Sequence, residues 1–147
     1  MDYMLYECDE DRVSLKKEID FVRNYVEIER FRYGDRLDFD MQVSGDLSSH
    51  RIAPLIFLPF LENAFKHGIG ADVQKSWIKL EVRVNQGKLA MTLKNSQSSP
   101  SPNANGKNGI GLRNVKRRLV LQYGEENFTL ETEQKPSEYI VNLNLSL

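Results

Sequence analysis

The sequence holds a single cysteine, Cys8, so an intrachain disulfide and a Cys-based metal framework are both excluded. An intracellular domain fits that usage. Long hydrophobic runs are missing too. The longest, from Ile52 to Leu61, carries Pro54 and Pro59 and is too short for a membrane span. The N-terminal MDYMLYECDEDR turns acidic too early for a secretory signal. Nor is there an excess of one charge: Lys+Arg number 20 against Asp+Glu 21, a net charge of -1. That balance removes any global pull toward nucleic acid or an anionic membrane. What is present suits one soluble domain. The 147 residues are 40% hydrophobic and 28% charged, which argues against disorder and against a coiled-coil rod. The apolar start, Tyr3 to Tyr6, is what a fragment of a longer protein would show.

Periodicity then orders the chain. Leu15, Ile19, Val22 and Val26 recur at helical spacing, with Phe21, Tyr25 and Ile28 alongside, and predict a helix over Leu15 to Tyr33. Ser14 is its candidate N-cap, and Gly34 can end it. Leu37, Phe39, Met41 and Val43 alternate as in a half-buried strand, and the loop SGDLSSHR follows. Pro54 to His67 reads as a buried helix, broken or begun at Pro59 and closed by Gly68 and Gly70. Two alternating runs, Ile78 to Val84 and Leu89 to Leu93, flank a hairpin turn at Asn85-Gln86-Gly87. SQSSPSPNANGKN, residues Ser96 to Asn108, cannot bury apolar surface and reads as a mobile loop. A helix from about Gly111 to Tyr123 carries Leu112, Val115, Leu119 and Tyr123 inward, and two strands finish the chain. This order suits an α/β (α+β) two-layer sandwich, a sheet covered on one face by about three helices.

Two stretches carry candidate chemistry. In LPFLENAFKHG, Asn63, Lys66 and His67 stand at i, i+3 and i+4 and share a helix face beside Glu62. An amide oxygen is a hard ligand for magnesium, and an ammonium neutralises phosphate oxygens. A surface stripe in which Glu62 pairs with Lys66 explains the same residues. In NGIGLRNVKRRL, Gly109 and Gly111 sit where a loop enters a helix, a place that admits close approach of an anion to backbone N–H groups. A tight turn with close packing is the plainer account. Arg113, Lys116, Arg117 and Arg118 read as a solvated face.

Taken together, ENAFKHG and GIGLRNVKRRL resemble the N box and glycine box of the Bergerat-fold ATPase module. LKKEIDFVRNYVEIERFRYGDRLDFD, IAPLIFLPFLENAFKHGI and GIGLRNVKRRLVLQYG are very similar to the LytS-like class of bacterial sensor histidine kinases, over nearly the whole chain. The resemblance implies a mixed sheet against three helices, with ATP held under a lid. It implies that Asn63 coordinates magnesium, that Glu62 and His67 serve the phosphoryl transfer, and that Lys66 lies near the phosphates. Asn95, Lys107, Gly109, Ile110, Gly111 and Leu112 complete the implied nucleotide site, with the lid over about residues 96–108. Residues 1–13 would be a remnant of the dimerisation helix and its linker, and 14–147 the ATPase domain.

Two departures from that family pattern stand out. The superfamily's adenine-binding aspartate is replaced by Asn95, in Lys94-Asn95-Ser96-Gln97, which removes charge assistance and predicts weaker or less selective adenine binding. The acceptor motif resembling PHFLFN is missing, and neither His50 nor His67 stands in such a context, so autophosphorylation in cis is not expected. The partners implied are ATP with Mg2+, the protein's own dimerisation and phosphoacceptor domain within a homodimer, and a response regulator. The domain would lie in the cytoplasm, attached to an inner membrane only through upstream segments, and would bind no nucleic acid. Two rivals are a degenerate nucleotide-binding or dimerisation module without kinase activity and a serine kinase of the anti-sigma type. The long helix after Ser14 counts against the second.

Overall fold

Alternating apolar residues in five strands build the sheet. The computed structural model describes residues 11–69, 75–97 and 104–147, with the backbone alone over 104–110. Its elements are Val13–Ser14 (β1), Leu15–Tyr33 (α1), Leu37–Ser44 (β2), Arg51–Ile52 (β3), Leu58–Gly68 (α2), Ser76–Asn85 (β4), Lys88–Ser96 (β5), Ala104–Tyr123 (α3), Phe128–Gln134 (β6) and Glu138–Ser146 (β7). The sheet runs β2-β4-β5-β7-β6, and β1 pairs separately with β3. β2 and β4 are parallel, so the chain between them must cross over, and α2 lies in that crossover. The other ladders are antiparallel.

Every second residue points into one core. Leu37 and Phe39, Ile78 to Val84, Leu89 to Leu93, and Tyr139 to Leu145 supply the sheet's inner face. Leu15, Ile19, Val22 and Val26 of α1, Phe60, Leu61, Ala64 and Phe65 of α2, and Val115 and Leu119 of α3 cover it. The element order implied a sheet covered on one face by helices and the resemblance implied a mixed sheet against three helices; this is the fold found. Phe65 joins the layers: it stacks on Phe39 at 5.9 Å and on Tyr33 at 6.1 Å, and meets Tyr25 edge-on at 5.8 Å. Such ring pairs add roughly 0.5–1.5 kcal/mol each beyond their buried area.

The expected boundaries hold for α1, but the cap differs. Ser14 makes no side-chain cap hydrogen bond, because it is committed to pairing with Arg51 in β3. The Leu15 N–H instead donates to the His50 carbonyl at 3.0 Å, so a neighbouring strand end does the capping. Val13, assigned from sequence to a linker, is buried and paired with Ile52. The rest of the expected helical remnant, residues 1–10, lies outside the described residues. Ile28 does not join the core and is exposed, as is Phe31.

Two turns require glycine for different reasons. Gln86 (φ 51°) and Gly87 (φ 74°) make the tight two-residue hairpin between β4 and β5. Gly45 (φ +101°) presses on β4: a Cβ there would stand 2.0 Å from the Val84 carbonyl oxygen, whereas at Gly87 it would meet nothing within 4 Å. Gly87→Ala should therefore cost about 1–2 kcal/mol through backbone strain alone, and Gly45→Ala should cost more. Urea unfolding of the two variants checks the order, and equal midpoints would contradict the contact.

Candidate nucleotide-binding site

α2 begins with Pro59 in its first turn, where a missing N–H does no harm. Its buried side, Leu61 and Phe65, faces the sheet, and the other side carries the expected polar stripe. Asn63 and His67 are half-buried, while Glu62 and Lys66 are exposed and form no ion pair with each other. The Glu62 charge is felt on α1. It is one of those acting on Tyr25, whose hydroxyl is pushed up to about 12, chiefly by burial and then by Glu29 and Glu62.

The helix stops at Gly68 because of what lies beneath it. Gly68 has no left-handed conformation, and the residue after it, Ile69, is extended. A Cβ at Gly68 would stand 3.0 Å from the Asn95 Cβ and 3.1 Å from its Nδ2. The glycine is there for close approach of helix to sheet. Gly70, the second expected terminator, lies outside the described residues. Asn95 is 2% exposed at the end of β5, and its amide donates to the Ser96 carbonyl at 3.1 Å. The Ser96 hydroxyl joins three elements, donating to the Gly68 carbonyl at 3.2 Å and accepting from the Trp77 N–H at 3.0 Å. Just beyond β5, the Gln97 Oε1 is buried and lacks a hydrogen-bond partner, the kind of acceptor that an incoming amino group satisfies.

The third wall is α3, and its start is a correction. The helix begins at Ala104, not near Gly111, so Asn108, Gly109 and Gly111 are helical and the expected 96–108 loop is shorter at both ends. In a helix the chain satisfies its own backbone N–H groups, which an open loop here would leave unpaired. Residues 98–103 of that loop, and the side chains of Lys107 and Ile110, lie outside what is described. Gly111 is exposed, has no positive φ, and a Cβ on it would meet nothing among the described residues within 4 Å. Among the described residues, then, neither a turn nor close packing explains it. Leu112 packs half-buried against the core.

Among the basic residues that follow, Arg113, Lys116 and Arg117 are exposed, as a solvated face should be. Arg118 is not part of that face: it is partly buried and donates to the Leu55 carbonyl at 3.1 Å and to the Pro54 carbonyl. Glu18 was also unforeseen. It is 0% exposed, and its Oε1 accepts from the Ile56 N–H at 3.1 Å.

Gly68, Asn95 and Ser96 thus come together, with the Asn63–His67 stripe leading to them along α2. Among the described residues no group of three or more His, Cys, Asp or Glu side chains could hold a metal ion. A cation here would be held by the Asn63 amide oxygen together with oxygens of its own ligand, as suits magnesium carried on a phosphate. The residues fit a magnesium nucleotide. No helix among the described residues is long and apolar enough to cross a membrane.

Comparison with known proteins points the same way. The family model described as "Histidine kinase" matches residues 1–37. The sensor histidine kinase YesM of Bacillus subtilis is 28% identical over 118 residues, covering 78% of this chain and 20% of that protein. The sensor protein LytS of Oceanobacillus iheyensis is 26% identical over 131 residues, covering 80% of this chain and 22% of that protein. The catalytic domain of the histidine kinase ThkA superposes with a TM-score of 0.64 at 14% identity, covering 92% of this chain and 93% of that one. ThkA has also been solved in complex with the response regulator protein TrrA. The likeness is to LytS-like sensor histidine kinases. The ThkA match establishes the fold, that of a histidine-kinase catalytic domain. The chain spans about a fifth of the length of the kinases YesM and LytS.

The Tyr25 environment in this kinase-like domain is directly testable. Because folding raises the Tyr25 pKa from 10.0 to about 12, its contribution to stability is present below pH 10 and is lost as pH rises through 12. Glu62→Gln should move the Tyr25 titration, followed by NMR of labelled tyrosine, toward lower pH. An unmoved titration would mean that the Glu62 charge does not reach Tyr25.

Proposed function

We propose that this chain is the ATP- and magnesium-binding catalytic domain of a sensor histidine kinase. In the whole protein it would deliver the γ-phosphoryl group of ATP to a histidine on a dimerisation domain, from which a response-regulator aspartate receives it. The observation that carries this reading is Gly111. A glycine inside a helix costs about 1 kcal/mol relative to alanine, and neither backbone conformation nor packing among the described residues accounts for it here. Close approach of a ligand to the outer surface of α3, whose N–H groups are already paired within the helix, would account for it.

Magnesium, when bound, neutralises and orients phosphate oxygens. Asn63 would hold it through a neutral amide oxygen, and Lys66, exposed at the same stripe, would add positive charge toward the phosphates. Glu62 and His67 would serve the transfer from either side of Asn63. Lys107, Gly109, Ile110 and Gly111 would lie at the phosphate end of the site, with Leu112 anchoring that segment to the core. Asn95, at the buried floor, would accept from the adenine amino group, less strongly than a carboxylate does. Positioning and charge neutralisation are most of what phosphoryl transfer asks of a protein. The full-length protein would act as a homodimer, with this domain on the cytoplasmic side of an inner membrane.

Calorimetric titration of a non-hydrolysable ATP analogue tests the proposal. Binding should require magnesium, and Asn63→Ala should remove the magnesium dependence. A folded chain that binds no analogue with magnesium present would favour the rival reading, a nucleotide-binding module that has lost its ligand. Asn95 is the observation behind that rival: it is neutral where the family pattern has a carboxylate, and its NH2 group is turned to the Ser96 carbonyl.

A further inference from the structure

Residues 53–57, which lead into α2, are almost wholly buried yet belong to no helix or strand. Their polar groups are held from outside. The Ala53 N–H donates to the Tyr123 hydroxyl at 2.8 Å, and the Ile56 N–H donates to the Glu18 carboxylate at 3.1 Å. Arg118 donates to the carbonyls of both Pro54 and Leu55. Leu55 itself is held at φ 56°, a left-handed conformation that a branched residue adopts only under constraint. Tyr123 is steadied in turn by the Arg12 guanidinium, 4.3 Å over its ring, which also donates to the Gln122 side chain at 2.6 Å.

Two of these holding groups, Arg118 and Tyr123, stand on α3, the helix that carries Gly111. Arg118 follows Gly111 by two helical turns and so lies on the same face. A helix transmits displacement along its length, so the glycine end of α3 and the lead-in to α2 are joined through Arg118 and Tyr123, and Arg118 alone holds the two carbonyls. We infer that Arg118 is a positioning residue for the nucleotide site: it locks α2, and with it Asn63, in register with the glycine segment of α3. The inference rests on the nucleotide reading for its consequence, though not for the link itself. The planar guanidinium fork spans two carbonyls in a way that a lysine ammonium does not, so a conservative change breaks the link while keeping the charge.

The test compares the whole chain with Arg118→Lys and Arg118→Gln by two measurements. In hydrogen exchange without nucleotide, amides of α2 and of residues 104–112 should exchange about tenfold faster in both variants, while those of β4 and β5 stay as protected as before. In calorimetry, both variants should lose most of the magnesium-dependent gain in ATP-analogue affinity and keep whatever binding is magnesium-independent. Exchange that quickens uniformly across the chain, or not at all, would overturn the inference. So would a magnesium-dependent gain equal to that of the wild type. Wild-type chain that binds no analogue would sink the nucleotide reading instead, and the exchange pattern would still decide whether Arg118 joins the two helices.

Discussion

Buried backbone outside regular structure must find hydrogen-bond partners, and the segment before α2 meets that constraint with side chains from the other two helices. Glu18 from α1, and Arg118 and Tyr123 from α3, take four of its polar groups. The charges involved would be costly if left alone. Burying a carboxylate is tolerated when it accepts hydrogen bonds and lies near opposite charge. Burial raises the Tyr123 pKa, while the nearby Arg12 and Arg118 act the other way. The helices are therefore cross-tied by directional bonds as well as by a shared apolar face. Apolar packing alone would let α2 slide, because it sets depth more firmly than register.

The far end of α2 is fixed by different means. Phe65 is stacked between rings of α1 and β2, and Gly68 rests on Asn95 with the Ser96 hydroxyl closing the gap. Between these two anchors the Asn63–His67 stripe has little freedom to move relative to the sheet. The proposed phosphate site would benefit from such support, since misplacement by about 1 Å can cost a hundredfold in rate.

Much of this architecture was legible in the sequence. Period-two alternation located the five sheet strands, and the Leu15–Val26 stripe located α1, because burial of one face leaves a direct trace in composition. The start of α3 was not legible. Gly109 and Gly111 read as the place where a loop enters the helix, and only the rest of the fold shows them as lying within it. The cap of α1 was misread for a similar reason: Ser14 is an ordinary N-cap residue, but the pairing of β1 with β3 supplied the His50 carbonyl first. Glu18 and Arg118 were missed because a charged residue is normally solvated. A signal did exist. Glu18 occupies the i+3 place of the stripe Leu15, Ile19, Val22, and Arg118 the i+3 place after Val115, beside Leu119. A charge standing where an apolar residue completes the helical pattern is a buried charge, and a buried charge has a partner to be sought.

Besides Leu55 and Glu18 around the lead-in to α2, local rules fail at three places on the elements that carry the candidate site. Gly111 weakens a helix without serving a turn, Gly68 forgoes a side chain to approach Asn95, and the Gln97 oxygen is buried without a partner. Each is a cost to the folded state on its own. Natural sequences tend to be locally consistent except where function asks otherwise; packing on Asn95 accounts for Gly68, but among the described residues it accounts neither for Gly111 nor for the Gln97 oxygen. A ligand that comes close to α3 and presents an amino donor would answer both. That pairing is the physical support, apart from any resemblance in sequence, for the nucleotide proposed above.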